Sequence, residues 1–355
     1  MESIPAGADR CAGIGPLADP EVTGLTNDGP IVAFAGFDAA HAGDLWLGDL
    51  RSGAVEMVYQ AATGIEIASP QLASGHLLWI EWAREAGVDY SVGGAGGPGV
   101  TEWWLNDMDT QSRRIATLAH DHTTGFGGAT FADKIVFDGS RLGIEEQIQD
   151  AATRIVVQDW PSGKSVQSVT VADRVYDFAL TGDGVLYSAG ADRYGPYGTD
   201  HMHLMDCPRE GSCQTVAPDV YDVAASGDVV AWLADPSSSQ DSDSLPGARL
   251  YTTNAKLGPA QAVSSTEASR RSQGIRGIAS GSGMVAWWEQ DADVGPNTLT
   301  VWTPGSVAPF HLATSGDSVD VSLGGGWLAW FEDVGSGDSS TTRVRAVPIT
   351  AIVKP

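Results

Sequence analysis

Seven apolar runs, each ending in an aromatic residue and preceded by a glycine-containing turn, recur along the 355 residues of the chain. The aromatics are Phe34, Trp79, Phe137, Tyr187, Trp232, Trp287 and Trp330, at spacings of 45, 58, 50, 45, 55 and 43 residues. A period of about 49 residues marks a supersecondary unit that cannot bury its own apolar faces and must stack on copies of itself. The repeat therefore overrides the two or three domains that length alone suggests.

Each unit reads as four short strands. In the fifth, Val220 to Ala225 is a strand, Ser226-Gly227-Asp228 a turn, and Val229 to Leu233 a second strand rich in β-formers. After a long polar loop, Arg249 to Thr253 forms a third strand, Ala255 to Gly258 a turn and Ala260 to Val263 a fourth. The third strand has its own signature. Trp46-Leu47-Gly48-Asp49-Leu50-Arg51-Ser52-Gly53, Trp104-Leu105-Asn106-Asp107-Met108-Asp109-Thr110-Gln111 and Val156-Val157-Gln158-Asp159-Trp160-Pro161-Ser162-Gly163 align without gaps. The Asp before each turn can accept a bond from its own backbone two residues on, which starts the turn.

On these residues the chain resembles the TolB-type β-propellers, from about Val22 to Val347. The Ser-Pro-Asp-Gly turn of such repeats reads here as Ala-Ser-Gly-Asp, Ala225 to Asp228, or Ala-Ser-Gly-His, Ala73 to His76. The resemblance implies an all-β fold, a seven-bladed β-propeller of four-stranded antiparallel blades, over residues 22–355 as a single domain. Residues 1–21 read as an N-terminal leader. The seventh unit has a weak fourth strand, Ile349 to Val353, where residues before Val22 could pair and close the circle.

Charge narrows the partners. With 20 Lys and Arg against 45 Asp and Glu, the net charge of −25 repels nucleic acid. No apolar window approaches a membrane span, and Met1 to Pro5 lacks the charged start and apolar stretch of a signal peptide. Cys207 and Cys213 flank the turn-forming run Pro208 to Ser212 and could close a hairpin as a disulfide, which implies an oxidising compartment. The alternative is a pair of reduced thiols at a turn. The expected localisation is secreted, periplasmic or at the cell envelope, with the chain in its mature, trimmed form.

Loop length separates the two ends of each unit. Turns between third and fourth strands are short, whereas Trp82 to Thr101, Asp138 to Thr153, Ser188 to Asp200 and Asp235 to Gly247 are long connections between second and third strands. Binding groups concentrate on loops held by a rigid scaffold, so this end is the expected site. Aligning the entries to the first strands puts Gly24, Ser69, Gly127, Asp177, Asp222, Gly277 and Asp320 at one ring position. The carboxylates Asp177, Asp222 and Asp320 could hold a cation or a cationic ligand, or each could bond backbone amides nearby. Tyr176 and Tyr221 stand beside two of them, and Arg276 takes the matching place in the sixth unit.

His120 and His122 lie on the connection into the third unit, while His201 and His203 open the third strand of the fourth. Alternate strand residues share a face, so His201 and His203 could ligate one metal with His122, zinc or calcium being the candidate ions. His203, however, aligns with Trp46, Trp104, Val156 and Tyr251, a packing position. His41 is a further candidate ligand; His76 and His311 read as structural. The runs Asp241-Ser242-Asp243 and Glu289 to Asp293 read as solvated acidic surface. Trp82, Tyr90, Trp103, Tyr194 and Tyr197 could stack on sugar rings or peptide side chains.

No nucleophile elbow, phosphate loop, dinucleotide fingerprint or zinc helix is present in the sequence. Two functions are therefore expected in turn. The first is an exported propeller binding a glycan, peptide or protein on its long-loop face. The second, implied by resemblance to propeller lyases, is a polysaccharide lyase or hydrolase with His122 or Tyr221 as base, Arg276 or a metal neutralising the substrate carboxylate, and Tyr176 nearby.

Overall fold

The computed structural model of the chain describes residues 12–14, 21–37, 43–63, 65–84, 100–107, 113–117, 131–149, 152–190, 202–234, 249–254, 256–263, 275–290, 297–306, 308–312, 320–334 and 341–352. These residues form seven four-stranded antiparallel sheets, the blades. Blade 1 runs Glu21–Asp28, Ile31–Phe37, Gly43–Asp49 and Ala54–Gln60; blade 2 runs Ile65–Ala73, His76–Arg84, Val100–Asp107 and Arg113–Thr117. Blade 3 is Phe131–Phe137, Arg141–Gln149, Ala152–Asp159 and Lys164–Val171. Blade 4 is Arg174–Leu180, Gly184–Gly190, His203–Pro208 and Gln214–Pro218. Blade 5 is Val220–Ser226, Val229–Ala234, Arg249–Asn254 and Gln261–Ala262; blade 6 is Ile275–Gly281, Met284–Gln290, Asn297–Trp302 and Phe310–Leu312.

Blade 7 departs from this chain order. Val321–Gly324, Trp327–Val334 and Thr341–Pro348 supply three strands, and the fourth comes from Ala12–Ile14, which pairs with Ala346, Arg345 and Val344. The weak fourth strand expected after residue 348 is instead a single helical turn, Ile349–Ile352, whose Ile352 is buried. By contact the chain divides into two compact units. One is Leu17–Ala172, with blades 1 to 3; the other is Met1–Pro16 with Asp173–Pro355, holding blades 4 to 7.

The core lies between blades, because each sheet has two apolar faces. Second strands such as Gly184–Gly190 and Val229–Ala234 are buried at every position, as expected of strands covered on both sides. The repeated aromatic faces the preceding blade. Trp79 packs with Ala33, Ala35 and Leu45; Trp232 with Ala179, Leu186 and Leu204; Trp287 with Val229, Ala231 and Leu250; Trp330 with Ala286, Leu299 and Val301. Truncating such an aromatic to Ala typically costs about 3–5 kcal/mol.

Side chains of one blade also accept amide hydrogen bonds from the next. Leu72 N donates to Thr26 Oγ1 at 3.1 Å, Phe137 N to Gln71 Oε1 at 3.4 Å and Val223 N to Asp177 Oδ2 at 2.9 Å. Gly75 N donates to Asp28 Oδ2 and Gly326 N to Ser282 Oγ at the turns, both at 3.1 Å. These bonds fix the offset between blades, which apolar packing alone specifies weakly.

Blade 3 corrects the sequence reading. Phe137 ends the first strand rather than anchoring the second, where it packs edge-on against Trp160 with ring centroids 5.9 Å apart. The second strand, Arg141–Gln149, has no aromatic, and it occupies most of the segment read as a long loop from Asp138 to Thr153. In blade 4, Met205 stands opposite Tyr187 as Tyr251 stands opposite Trp232 and Trp46 opposite Phe34. His203 lies two residues earlier, opposite Ala189, in the register that Trp104 takes opposite Glu81 rather than that of Trp46 and Tyr251. Cys207 and Cys213 are joined as a disulfide across the hairpin from Pro208 to Gln214.

Candidate functional site

Antiparallel pairing brings the start of the first strand, the connection between second and third strands, and the end of the fourth to the same end of every blade. The connections 85–99, 118–130, 191–202 and 235–248 join strands at that end. The opposite end carries tight turns such as Gly29-Pro30, Ser74-Gly75, Gly227-Asp228 and Ser282-Gly283.

At the loop-bearing end the first strands bulge. Pairing with the second strand shifts between Thr23 and Thr26, Ala68 and Gln71, Ala132 and Lys134, Val175 and Asp177, Val220 and Val223, and Arg276 and Ile278. Bulges re-aim side chains and cluster next to functional sites. Gly24, Ser69 and Gly277 take left-handed φ values of 68°, 47° and 52° at these shifts. At Gly24 a Cβ would lie 2.6 Å from Pro70 Cδ, so the close approach of blades 1 and 2 requires the missing side chain.

The predicted ring position thus coincides with the bulges in blades 1, 2, 4, 5 and 6. In blade 3 the bulge falls at Asp133, between Ala132 and Lys134; Gly127 lies outside the described residues. Asp177 is buried, and its carboxylate accepts Phe178 N at 2.8 Å and Val223 N at 2.9 Å. Asp222 is half-buried within its bulge, and Asp320 is half-buried just before the first strand of blade 7, its carbonyl accepting Phe331 N at 3.4 Å. Tyr176, at the extra position of the blade 4 bulge, is 36% exposed, one of the few large apolar side chains of the described residues to be so. Tyr221 shares the blade 5 bulge and Arg276 pairs with Trp288, their side chains lying outside the described residues.

Trp82 stands in the second strand of blade 2 opposite Trp103, again with side chains outside the description. His41, Tyr90, His120, His122, Tyr194, Tyr197, His201 and the run Asp241 to Asp243 lie outside the described residues. His203 is half-buried, its Nδ1 enclosed and without a hydrogen-bond partner among the described residues. His311 Nδ1 and Thr300 Oγ1 bond at 3.0 Å, and His76 stands edge-on to Phe137. No group of three or more His, Cys, Asp and Glu among the described residues is placed to hold a metal ion.

One pattern escaped the sequence reading. Two residues after the repeated aromatic, blades 2, 6 and 7 carry a buried glutamate: Glu81, Glu289 and Glu332. Trp79 Nε1 donates to Glu81 Oε1 at 3.1 Å, and Trp287 Nε1 to Glu289 Oε1 at 2.7 Å. Glu289, read as part of a solvated acidic run, is therefore an internal acceptor. The spacing of two, which keeps both side chains on one strand face, is the signal that could have found it. Glu81 also bonds Tyr59 of blade 1, whose ring lies 5.1 Å from that of Trp79. Burial first, then the bond and charge of Glu81, push the Tyr59 phenol up to about 12.

In blade 7 the glutamate serves different partners. Glu332 Oε2 accepts Arg343 Nε at 2.7 Å and Arg345 Nε at 2.8 Å. In blade 3, Arg154 Nε donates to the buried Glu146 at 2.7 Å.

Among solved structures the chain is similar to the β-propeller domain of the Trilobed protease from Pyrococcus furiosus, with a TM-score of 0.64 at 12% identity over 94% of this chain and 99% of that one. It also resembles the Pyrococcus horikoshii acylaminoacyl peptidase, with a TM-score of 0.60 at 10% identity over 93% of this chain and 52% of that one. A puromycin-hydrolyzing peptidase from Mycobacterium tuberculosis gives 0.59 at 13% identity, over 93% and 51%. The chain thus spans about half the length of these two peptidases. The seven sheets and these likenesses define a seven-bladed β-propeller of four-stranded antiparallel blades. No protein-family model matches the sequence, and no curated protein matches it.

Proposed function

We propose that the chain is a binding propeller of the TolB type, which takes a peptide or protein ligand on the loop-bearing end of its blades. The observation that carries this reading is the asymmetry of the blades, with long connections at one end and tight turns at the other. Loops held on a rigid scaffold adapt to a ligand without unsettling the fold. The propellers it resembles belong to peptidases, which favours a peptide over a glycan as the ligand class, as an argument from analogy. The exposed Tyr176 supplies an aromatic contact at that end. The Cys207–Cys213 disulfide supports an oxidising compartment, hence an exported protein at the cell envelope or outside the cell.

The test is an array of peptides and glycans probed with the purified chain. Replacing residues 85–99 or 235–248 by short Gly-Ser linkers should weaken peptide binding at least tenfold and leave thermal melting nearly unchanged. Binding that survives both replacements, or that is confined to glycans, would overturn the peptide reading.

A further inference from the structure

Each blade ends in an outer strand, and all but one of these strands carry a feature that discourages pairing with another chain. Those of blades 5, 6 and 7 are only two or three residues long. That of blade 1 carries the exposed Glu56, that of blade 2 opens on Arg113 and Arg114, and that of blade 4 ends at Pro218. The exception is Lys164–Val171 of blade 3, which is eight residues long and after Lys164 holds no charge, no proline and no glycine. Val166, Val169, Thr170 and Val171 are β-branched, the residue type best suited to a strand. Among the described residues this strand pairs with Ala152–Asp159 alone, so its outer side is an open edge of the sheet.

A register shift leaves Val166 as an extra residue near the start, and from Gln167 to Val171 the strand pairs residue for residue. Within that regular stretch Val169 and Val171 are buried, while Ser168 and Thr170 are exposed. The stretch is its own complement. Paired antiparallel with a second copy about Val169, it sets Ser168 opposite the partner's Thr170, twice over, and hydroxyl pairs of this kind stabilise a sheet. Val169 and Val171 stay together on the other face, because alternate residues share a face. Charge favours the same occupant. Lys164 is the one charged residue of the strand, and in a twofold pair the two lysines stand at opposite ends. A strand rich in charge would find no counter-charges along Ser165–Val171. The net charge of −25 opposes the approach of two copies, but it is largely screened beyond about 8 Å at physiological salt. Twofold pairing is also closed, so it stops at two chains.

We propose that the outer strand of blade 3 is the contact through which two copies of this chain associate, by antiparallel pairing of Gln167–Val171 with the same stretch of the second copy. The two blades then form one continuous sheet, with their loop-bearing ends pointing in opposite directions. So short a contact makes the dimer a weak one, populated at high protein concentration. The inference is independent of the peptide-binding reading.

The test is sedimentation of the full chain over a range of protein concentrations. A species of twice the monomer mass should grow with concentration, with nothing larger, and its share should rise with salt, which screens two acidic chains from each other. Ser168→Lys with Thr170→Lys, both at exposed positions, puts like charges across the pair. It should weaken association at least tenfold and leave the melting of the dilute chain unchanged. Ser168→Glu with Thr170→Glu should do the same, and an equimolar mixture of the two double variants should restore the dimer. A chain that is monomeric at every concentration, or a dimer that persists in both double variants, overturns the proposal. Hydrogen exchange at Lys164–Val171 that slows only when a peptide of different sequence is added would assign the edge to a foreign strand and overturn it as well.

Discussion

Asp177 Oδ2 accepts the backbone N–H of Val223 at 2.9 Å while Oδ1 accepts that of Phe178 at 2.8 Å, so one buried carboxylate ties the first strands of blades 4 and 5. The two amides follow the bulges of their strands, where pairing with the second strand resumes. Removing the acceptor leaves buried N–H groups unmet, a loss of about 1–3 kcal/mol. Asp177→Ala should lower the urea midpoint accordingly, and Asp177→Asn, which retains one acceptor oxygen, should cost less. Unchanged midpoints for both would show that the bond carries no stability.

Tyr59 provides a pH-dependent reading of the interface between blades 1 and 2. Burial and Glu81 push its phenol up to about 12, above the ordinary value of 10.0. Below pH 10 the phenol is protonated in both folded and unfolded chains, and its contribution is fully present. Between 10 and about 12 the unfolded chain releases the proton first, so stability falls as pH rises through that window. Tyrosinate difference spectroscopy should show one of the eight tyrosines titrating last. Glu81→Gln should bring that titration back toward 10, and an unchanged curve would separate Tyr59 from Glu81.

The repeat was legible because the aromatic at the middle of the second strand is a packing requirement, met by Phe34, Trp79, Tyr187, Trp232, Trp287 and Trp330. Blade 3 misled for a physical reason. Its second strand, Arg141–Gln149, fills the interface with Leu142 and Ile144, and the nearest aromatic, Phe137, ends the strand before it. In blade 4 the two-residue slip from Met205 to His203 preserves the strand face, so hydrophobic alternation could not expose it. The Trp-x-Glu spacing was open to view at Glu81, Glu289 and Glu332, but a glutamate after an apolar strand reads as the onset of a loop. Only the interblade face shows it to be buried.

Blade 7 depends on the N-terminal segment for its outer strand. Ala12–Ile14 covers Val344, Arg345 and Ala346 of the eight-residue strand Thr341–Pro348, leaving that edge unpaired when it is removed. Exposed strand edges invite pairing with other chains. Deleting residues 1–14 should therefore lower the melting temperature and raise the concentration-dependent aggregate seen by light scattering. A deletion variant with the parent's melting and a monomeric scattering profile would show that three pairs contribute nothing to closing the blade.

The disulfide confines a hairpin rather than a domain, which sets its effect. Cys207 is buried at the end of the third strand of blade 4, Cys213 is exposed just before the fourth, and only six positions separate them. Closing so short a loop removes little freedom from the unfolded chain, about 2 kcal/mol by the chain-entropy relation. Of the three cysteines, two are bonded, so thiol titration of the unfolded chain should find one free thiol before reduction and three after it. Cys213→Ser is the cleaner substitution, because it puts the new hydroxyl in solvent and leaves the core around Cys207 intact. It should lower stability by about that amount and reproduce the effect of reductant on the parent chain. A parent chain that melts identically with and without reductant, or that titrates three thiols unreduced, would remove the bond and with it the argument for an oxidising compartment.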